Sequence, residues 1–298
     1  MIQLHNVDLK LLRVFNAVVK FGGFSAAQAS LNAAQSTISG QMAQLEMLLG
    51  VKLCDRGRSG FRLTEQGSAI HGASESLLAA VDKFRMEVDT LKNRISGHLN
   101  IGIIDNTISD AEGAIPRAMR LFRARGHDVH ITVYVGSPPE LETRVLDGRL
   151  HIAVGHFPFK ISGLSYLPLY HETQGLYCGR DHELYRNDYR SAELKRRIIS
   201  SDIVARGYLQ RRDLNVLGAA SAAATVDNVE AQALLILSGA YIGFLPCHYA
   251  ARWLSTGDLK QLGRALIESP FEIISRRGLA APLTVRTFLD DLGRARRA

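Results

Sequence analysis

Gln35, Ser36, Thr37, Ser39 and Gln41 set amide and hydroxyl groups along a segment that reads as a helix from about residue 35 to 49. Gly40 and Gln44 belong to the same small, polar side. Such side chains approach base edges closely: Gln bonds adenine through two hydrogen bonds, and Ser suits several bases. Ile38, Leu45 and Leu49 form the apolar stripe of this helix, and Gly50 ends it. An ordinary solvated helix face has the same composition, so this face alone leaves both readings open. Basic residues follow. Lys52, Arg56, Arg58 and Arg62 stand against Asp55 alone, around two expected short strands at 51–53 and 61–64. A basic, glycine-containing hairpin of this kind reaches backbone phosphates or the minor groove.

The elements around this face are those of a winged helix-turn-helix. Leu11, Leu12, Phe15, Val18 and Val19 recur at helical spacing after Asp8, the expected N-cap, and Gly22-Gly23 stops that helix. Ser25 and Gln28 have capping-box spacing and open a short second helix ending near Leu31. From Thr64 to Gly67 a fourth helix begins. Ile70, Leu77, Val81, Phe84, Val88 and Leu91 follow a heptad rhythm along it, with Ser74 at the polar position. This seam suits pairing with a second copy of the chain; packing on the chain's own domain is the alternative.

Beyond residue 97 the pattern changes to alternating strands and helices, which implies a doubly wound α/β unit. Strands are expected at 99–104, 129–135, 152–154, 166–169, 176–178, 198–199 and 242–245, and near 262 and 271–274. Helices are expected at 114–125, 140–146, 229–238 and 283–294. In open α/β sheets ligands sit beyond the carboxyl ends of strands, where helix N-termini favour anions. Asn106, Thr107 and Ser109 follow the first of these strands, Ser137 the second and His156 the third, while Thr225 and Asp227 precede the helix at 229. These residues suit a small polar ligand; capping of local turns and helices is the competing role for each.

Enzyme signatures are missing. There is no G-x-G pair, no phosphate loop ending Gly-Lys-Ser/Thr, no H-E-x-x-H, no C-x-x-C and no G-x-S-x-G. No catalytic residue, metal or cofactor is expected. His127 and His130 are three apart, but His130 is expected on a strand, so the pair is not expected to share a metal. The arginines at 117, 120, 123 and 125 read as a solvated helix face. Lys and Arg number 36 against 29 Asp and Glu, an excess that permits a polyanionic partner without requiring one. Cys54, Cys178 and Cys247 are widely spaced, which fits a reducing, cytoplasmic setting. No signal peptide is evident, and the apolar stretch 231–246 is broken and too short for a membrane span.

Residues 9–67 resemble the winged helix-turn-helix of the LysR-type transcriptional regulators. The likeness is carried by Gly23-Phe24-Ser25-Ala26-Ala27-Gln28, Leu31-Asn32, Gln35-Ser36-Thr37-Ile38-Ser39-Gly40-Gln41-Met42, Leu45-Glu46, Leu49-Gly50-Val51-Lys52-Leu53, Arg56 and Leu63-Thr64-Glu65-Gln66-Gly67. Two positions depart from that pattern: Ala34 stands where the family usually has a capping Ser, with Asn32 as an earlier substitute cap, and Gly40 where it often has a DNA-contacting Arg. The second half resembles the family's effector-binding region, most strongly at Ser238-Gly239-Ala240-Tyr241-Ile242-Gly243-Phe244-Leu245-Pro246. His151 and His127 replace a usual Asp and Pro at positions that look peripheral.

The resemblance implies a DNA-binding domain at 1–67, a dimerising linker helix at 68–92, a hinge at 93–97 and an effector-binding domain at 98–298. That domain would be two-lobed, like a periplasmic binding protein, with lobe I at about 98–162 and 267–298 and lobe II at about 163–266. The expected partners are double-stranded DNA, a small and anionic effector, and further copies of the chain as a homodimer or a dimer of dimers. A solute-binding protein with the same two lobes, or an enzyme built on the α/β region, are the rival readings.

Overall fold

A computed structural model describes residues 6–57, 60–92, 94–110, 113–278 and 281–297. The chain divides into two compact units, Met1–Val88 and Asp89–Ala298.

The first unit packs α1 (Asn6–Lys20), α2 (Gln28–Leu31) and α3 (Gln35–Leu49) around a core of Leu11, Phe15, Val18, Ile38, Met42 and Leu45. Asp8 lies inside α1 rather than at its cap. Ser25 and Gln28 do meet, Nε2 to Oγ at 3.3 Å, but residues 24–27 form turns and α2 is shorter than expected. Ala34 caps α3 without a side-chain hydrogen bond. Asn32 does not replace it; its left-handed backbone, φ 46°, ends α2 instead.

The wing is β1 (Cys54–Gly57) paired antiparallel with β2 (Gly60–Leu63), from Cys54 opposite Leu63 to Gly57 opposite Gly60. Its first strand starts later than 51–53 because Leu53 is buried in the core, and the Leu53 and Cys54 N–H groups donate to Glu46 Oε1 at 2.7 and 3.3 Å. Thr64 joins the wing to α4 (Glu65–Leu91): its Oγ1 donates to Lys52 O and accepts from Gly67 N. A Cβ at Gly67 would lie 1.9 Å from Leu53 O, so only glycine fits this crossing.

In the second unit, β3 (Ser96–Ile103), α5 (Ile115–Arg123), β4 (Asp128–Val135), α6 (Pro138–Leu146) and β5 (Ile152–Gly155) alternate as expected. Ser96 and Gly97 already pair with Asp128 and Val129, so the last two residues of the expected hinge at 93–97 lie in the sheet. Then come β6 (Leu164–Gly179), α7 (Glu183–Arg186), α8 (Ser191–Ser200), β7 (Val204–Arg206), α9 (Arg212–Leu217), β8 (Ala224–Val226), α10 (Val229–Leu237), β9 (Ile242–Pro246), α11 (Cys247–Thr256), β10 (Leu259–Arg276) and α12 (Leu283–Arg297). The strand order is β4-β3-β5-β10-β6-β9, with β7-β8 as a separate parallel pair.

Two of the expected strand assignments are corrected by the structure. Residues 198–199 lie in α8, and the strand follows as β7. The short strands expected at 166–169 and 176–178, and near 262 and 271–274, are parts of β6 and β10, which pair antiparallel along their length with two register shifts. These long strands run through both lobes. One lobe packs Leu99, Ile101, Ile152 and Val154 with Phe122 and Phe288, whose rings meet edge to face at 5.6 Å. Arg125 belongs to this packing rather than to a solvated face: its guanidinium holds buried Asp291 through bonds of 2.8 and 2.6 Å. His127 packs against Phe122 with the rings tilted, centroids 4.1 Å apart, and His151 Nδ1 accepts from Asn100 N at 2.9 Å, so neither is peripheral. The other lobe has two clusters, around Leu176, Phe244 and Leu262, and around Val204, Ile236 and Leu245.

Candidate functional site

On the first unit, the buried residues Ile38, Met42 and Leu45 turn the opposite side of α3 outward. Gln35, Ser36, Thr37 and Gly40 are exposed, and Ser39 and Gln41 are half-buried. Among the described residues nothing lies within 4 Å of a Cβ built at Gly40. A cavity of about 380 Å³ is lined by residues 22–26, Gln35, Ser39, Gly60 and Phe61. The start of α3 and the wing thus border one concave surface, and Phe24 against Phe61, edge to face at 6.0 Å, ties the wing to the turn. Arg62 is exposed on β2, opposite Asp55. Asp55 is itself held by Lys52 at 2.6 Å, which raises the Lys52 pKa and cancels part of the local positive charge. Arg58 and the side chain of Arg56 lie outside the described residues.

The heptad seam divides. Ile70 and Leu77 pack on the core of their own domain, and Ser74 Oγ donates to Asn16 Oδ1 at 2.6 Å. Val81 and Val88 are half-buried, whereas Phe84 and Leu91 are 66% and 87% exposed. The first half of the seam therefore serves the chain's own fold, and the second presents large apolar side chains outward.

In the second unit, a cavity of about 390 Å³ is lined by His156, Arg206, Leu209, Arg212, Asp213, Asn215, Val216 and residues 267–270. Arg206 is 4% exposed. One terminal nitrogen donates to Gln174 Oε1 and lies 3.6 Å from Asp213 Oδ1, but among the described residues Nε has no partner, and neither has Asp213 Oδ2. Burial opposes the Arg206 charge; Tyr208, Asp213 and Glu172 favour it and prevail, so the guanidinium stays protonated. Buried Gln174 also donates to Glu172 and Ser269, at 3.1 and 3.2 Å, so the polar middle of the long strands floors the cleft. His156 Nδ1 donates to Pro270 O at 3.0 Å, burial lowers its pKa, and the neutral ring keeps Nε2 as an acceptor.

Thr107 is buried, and the Asn106 amide is buried with no partner on either atom among the described residues. Ser109 is exposed and bonds His248 Nδ1 at 2.9 Å. Ser137 caps α6 in backbone geometry only, with no side-chain bond. Thr225 and Asp227 are exposed. Neither caps α10: Asn228 Oδ1 accepts from Ala231 N at 2.7 Å, and Asp105 Oδ2 accepts from Val229 N and Glu230 N at 2.6 and 3.4 Å. The N-terminus expected to face a ligand is thus occupied by the chain's own carboxylate.

Sequence reading missed Asp105, Glu172, Gln174, Arg206, Arg212, Asp213 and His248. Arg206 had a readable signal, since it ends a strand; placing that strand at 198–199 hid it. Among the described residues no cluster of three or more His, Cys, Asp or Glu could hold a metal, and no helix is long and apolar enough to cross a membrane.

Comparison with known proteins matches residues 9–68 to the bacterial regulatory helix-turn-helix proteins of the lysR family, and residues 92–297 to the LysR substrate binding domain. The chain is 38% identical over 295 residues to the HTH-type transcriptional activator BauR of Pseudomonas aeruginosa, covering 97% of this chain and 95% of that protein. The crystal structure of CbnR, a LysR family transcriptional regulator, superposes with a TM-score of 0.67 at 20% identity, covering 97% of this chain and 99% of that one. Full-length CbnR complexed with its target DNA gives 0.66 at 20% identity, over 97% and 100% of the two chains. The chain therefore belongs to the LysR family of transcriptional regulators, which are not enzymes, with a DNA-binding helix-turn-helix unit ahead of an α/β effector-binding unit.

Proposed function

We propose that this regulator reads duplex DNA with Gln35 and Ser39 at base edges, supported by Ser36, Thr37 and Gln41, while Arg56, Arg58 and Arg62 of the wing meet phosphates. Its effector is a small anion bound between the lobes. The observation that carries this reading is Arg206: a buried guanidinium on the cavity wall with an unpartnered Nε. A carboxylate there would supply the missing acceptor, and a charged bond of this kind is among the stronger polar contacts. Exposed Arg212 adds a second positive charge on the same cavity and His156 a polar ring; Asn106, Thr107, Ser109 and Ser137 are proposed to contribute polar groups from the ends of the neighbouring strands. Thr225 and Asp227, exposed just before α10, remain candidates for the same ligand.

In this reading residues 1–67 bind DNA, 68–92 pair two chains, and 98–298 sense the effector, in the cytoplasm, as a homodimer or a dimer of dimers. Thermal-shift screening of the full chain against mono- and dicarboxylates should find a stabilising ligand. Calorimetry should then show its affinity reduced in Arg212→Ala, by about tenfold for a lost charge-assisted bond. A ligand that is cationic, or is indifferent to Arg212 and Arg206, overturns the anionic assignment. For the DNA face, Gln35→Ala should cost about 1–3 kcal/mol at the specific site and relax sequence preference. Arg62→Ala should weaken all duplexes and lower the salt slope by about one unit. Equal effects of Gln35→Ala on specific and random DNA would place base reading elsewhere.

A further inference from the structure

The segment between β3 and α5 makes three contacts with the long strand β6 and the second lobe, each of different chemistry. The Asp105 carboxylate accepts from Val229 N and Glu230 N at the start of α10. Ser109 Oγ bonds His248 Nδ1 at 2.9 Å, and His248 Nε2 donates to buried Glu172 Oε1 at 3.0 Å. The Asp110 carboxylate takes a hydrogen bond from Tyr170, whose ring stacks on Phe271 across the long strands at 4.7 Å. Asp105 and Ser109 follow β3 of one lobe, whereas their partners lie on α10 and α11, which pack in the other, so these bonds exist only while the lobes are together.

We infer that residues 105–110 form an interlobe latch, with Asp105 and His248 as its two catches, that holds the effector cleft closed before effector binds. Asp105 acts as an internal carboxylate on α10, where helix polarity favours negative charge. The contact is balanced rather than permanent: burial works against the Asp105 charge, while the two N–H groups and Arg206 work for it. Such a contact is one that a ligand can tip, because a modest difference in affinity between two arrangements shifts their populations. Ser109 and Asp105 share one short segment, so loosening one catch frees the other. The inference rests on the effector reading only for its regulatory consequence.

Amide hydrogen exchange on the full chain, without effector or DNA, tests the latch. Asp105→Ala should speed exchange at Val229 and Glu230 by about tenfold or more, the size of a lost buried hydrogen bond. Asp105→Asn, which keeps an acceptor, should retain part of the protection. The decisive arm is His248→Ala. It touches neither amide, yet a latch requires it to speed exchange at Val229 and Glu230 as well, while amides of β9 stay protected. Unchanged exchange at Val229 and Glu230 in His248→Ala makes the contacts independent and overturns the latch. Acceleration that spreads equally through β9 also overturns it, as general loss of stability. Neither result bears on whether an anion binds beside Arg206.

Discussion

Gly40 shows how one residue can serve recognition at a cost to stability. It sits mid-helix on the outward side of α3, where glycine is about 1 kcal/mol worse than alanine. Open space surrounds the position of its missing Cβ, so no packing requires glycine there. Gly40→Ala should therefore stabilise the first unit by about 1 kcal/mol in chemical denaturation. If glycine is kept for close approach to DNA, the same variant should bind its operator more weakly; unchanged affinity would show that α3 does not approach DNA at this point. Gly67 is the opposite case. Its Cβ would collide with Leu53 backbone, so Gly67→Ala should cost about 1–3 kcal/mol or more in the same measurement.

At the scale of elements, α4 combines two roles in one helix. Ile70 and Leu77 face the chain's own core, so a charge at Leu77 would disturb folding as well as assembly. Phe84 is the cleaner probe, because the single chain leaves it largely exposed. Phe84→Lys in the full chain should shift sedimentation toward smaller species and weaken binding to a two-half-site operator, since the second half-site is no longer tethered. An unchanged sedimentation profile, with the domain still folded, would place the pairing surface elsewhere. Elements of this kind were legible where local pattern and packing agree. Helix α3 could be read from Ile38, Leu45 and its terminal Gly50, whose left-handed backbone closes it as expected. The long strands could not. His171, Glu172, Thr173 and Gln174 interrupt β6 with polar side chains, and that interruption reads as a break between two short strands. Glu172 and Gln174 are accommodated by His248, Arg206 and Ser269, partners distant in sequence. Asp105 was invisible for the same reason: nothing near it in sequence announces that it caps α10.

Across the whole molecule, acidification should act first through buried histidines. Burial is the main cause that lowers the pKa of both His156 and His182 below 6.5. Each therefore binds fewer protons in the folded chain than in the unfolded one. Their contribution to stability is fully present above pH 6.5 and is lost as pH falls through the lowered folded values. The structural reason differs at the two sites. His156 donates Nδ1–H to Pro270 O, so its added proton goes to Nε2 on the cavity side. His182 uses Nδ1 to accept from Leu184 N at 3.1 Å, and a proton on Nδ1 abolishes that cap. The carboxyls of Asp105 and Glu142 are raised by burial and respond in the opposite sense, with stability gained as pH falls through their raised values toward the ordinary carboxylate range. The melting temperature should thus decline from pH 7.5 toward 5.5, before the carboxyls titrate fully. His182→Asn keeps a side-chain acceptor for the Leu184 N–H and removes the titration, so it should flatten the decline without lowering stability at pH 7.5. A decline of undiminished slope in both His182→Asn and His156→Gln would assign the pH response to other groups.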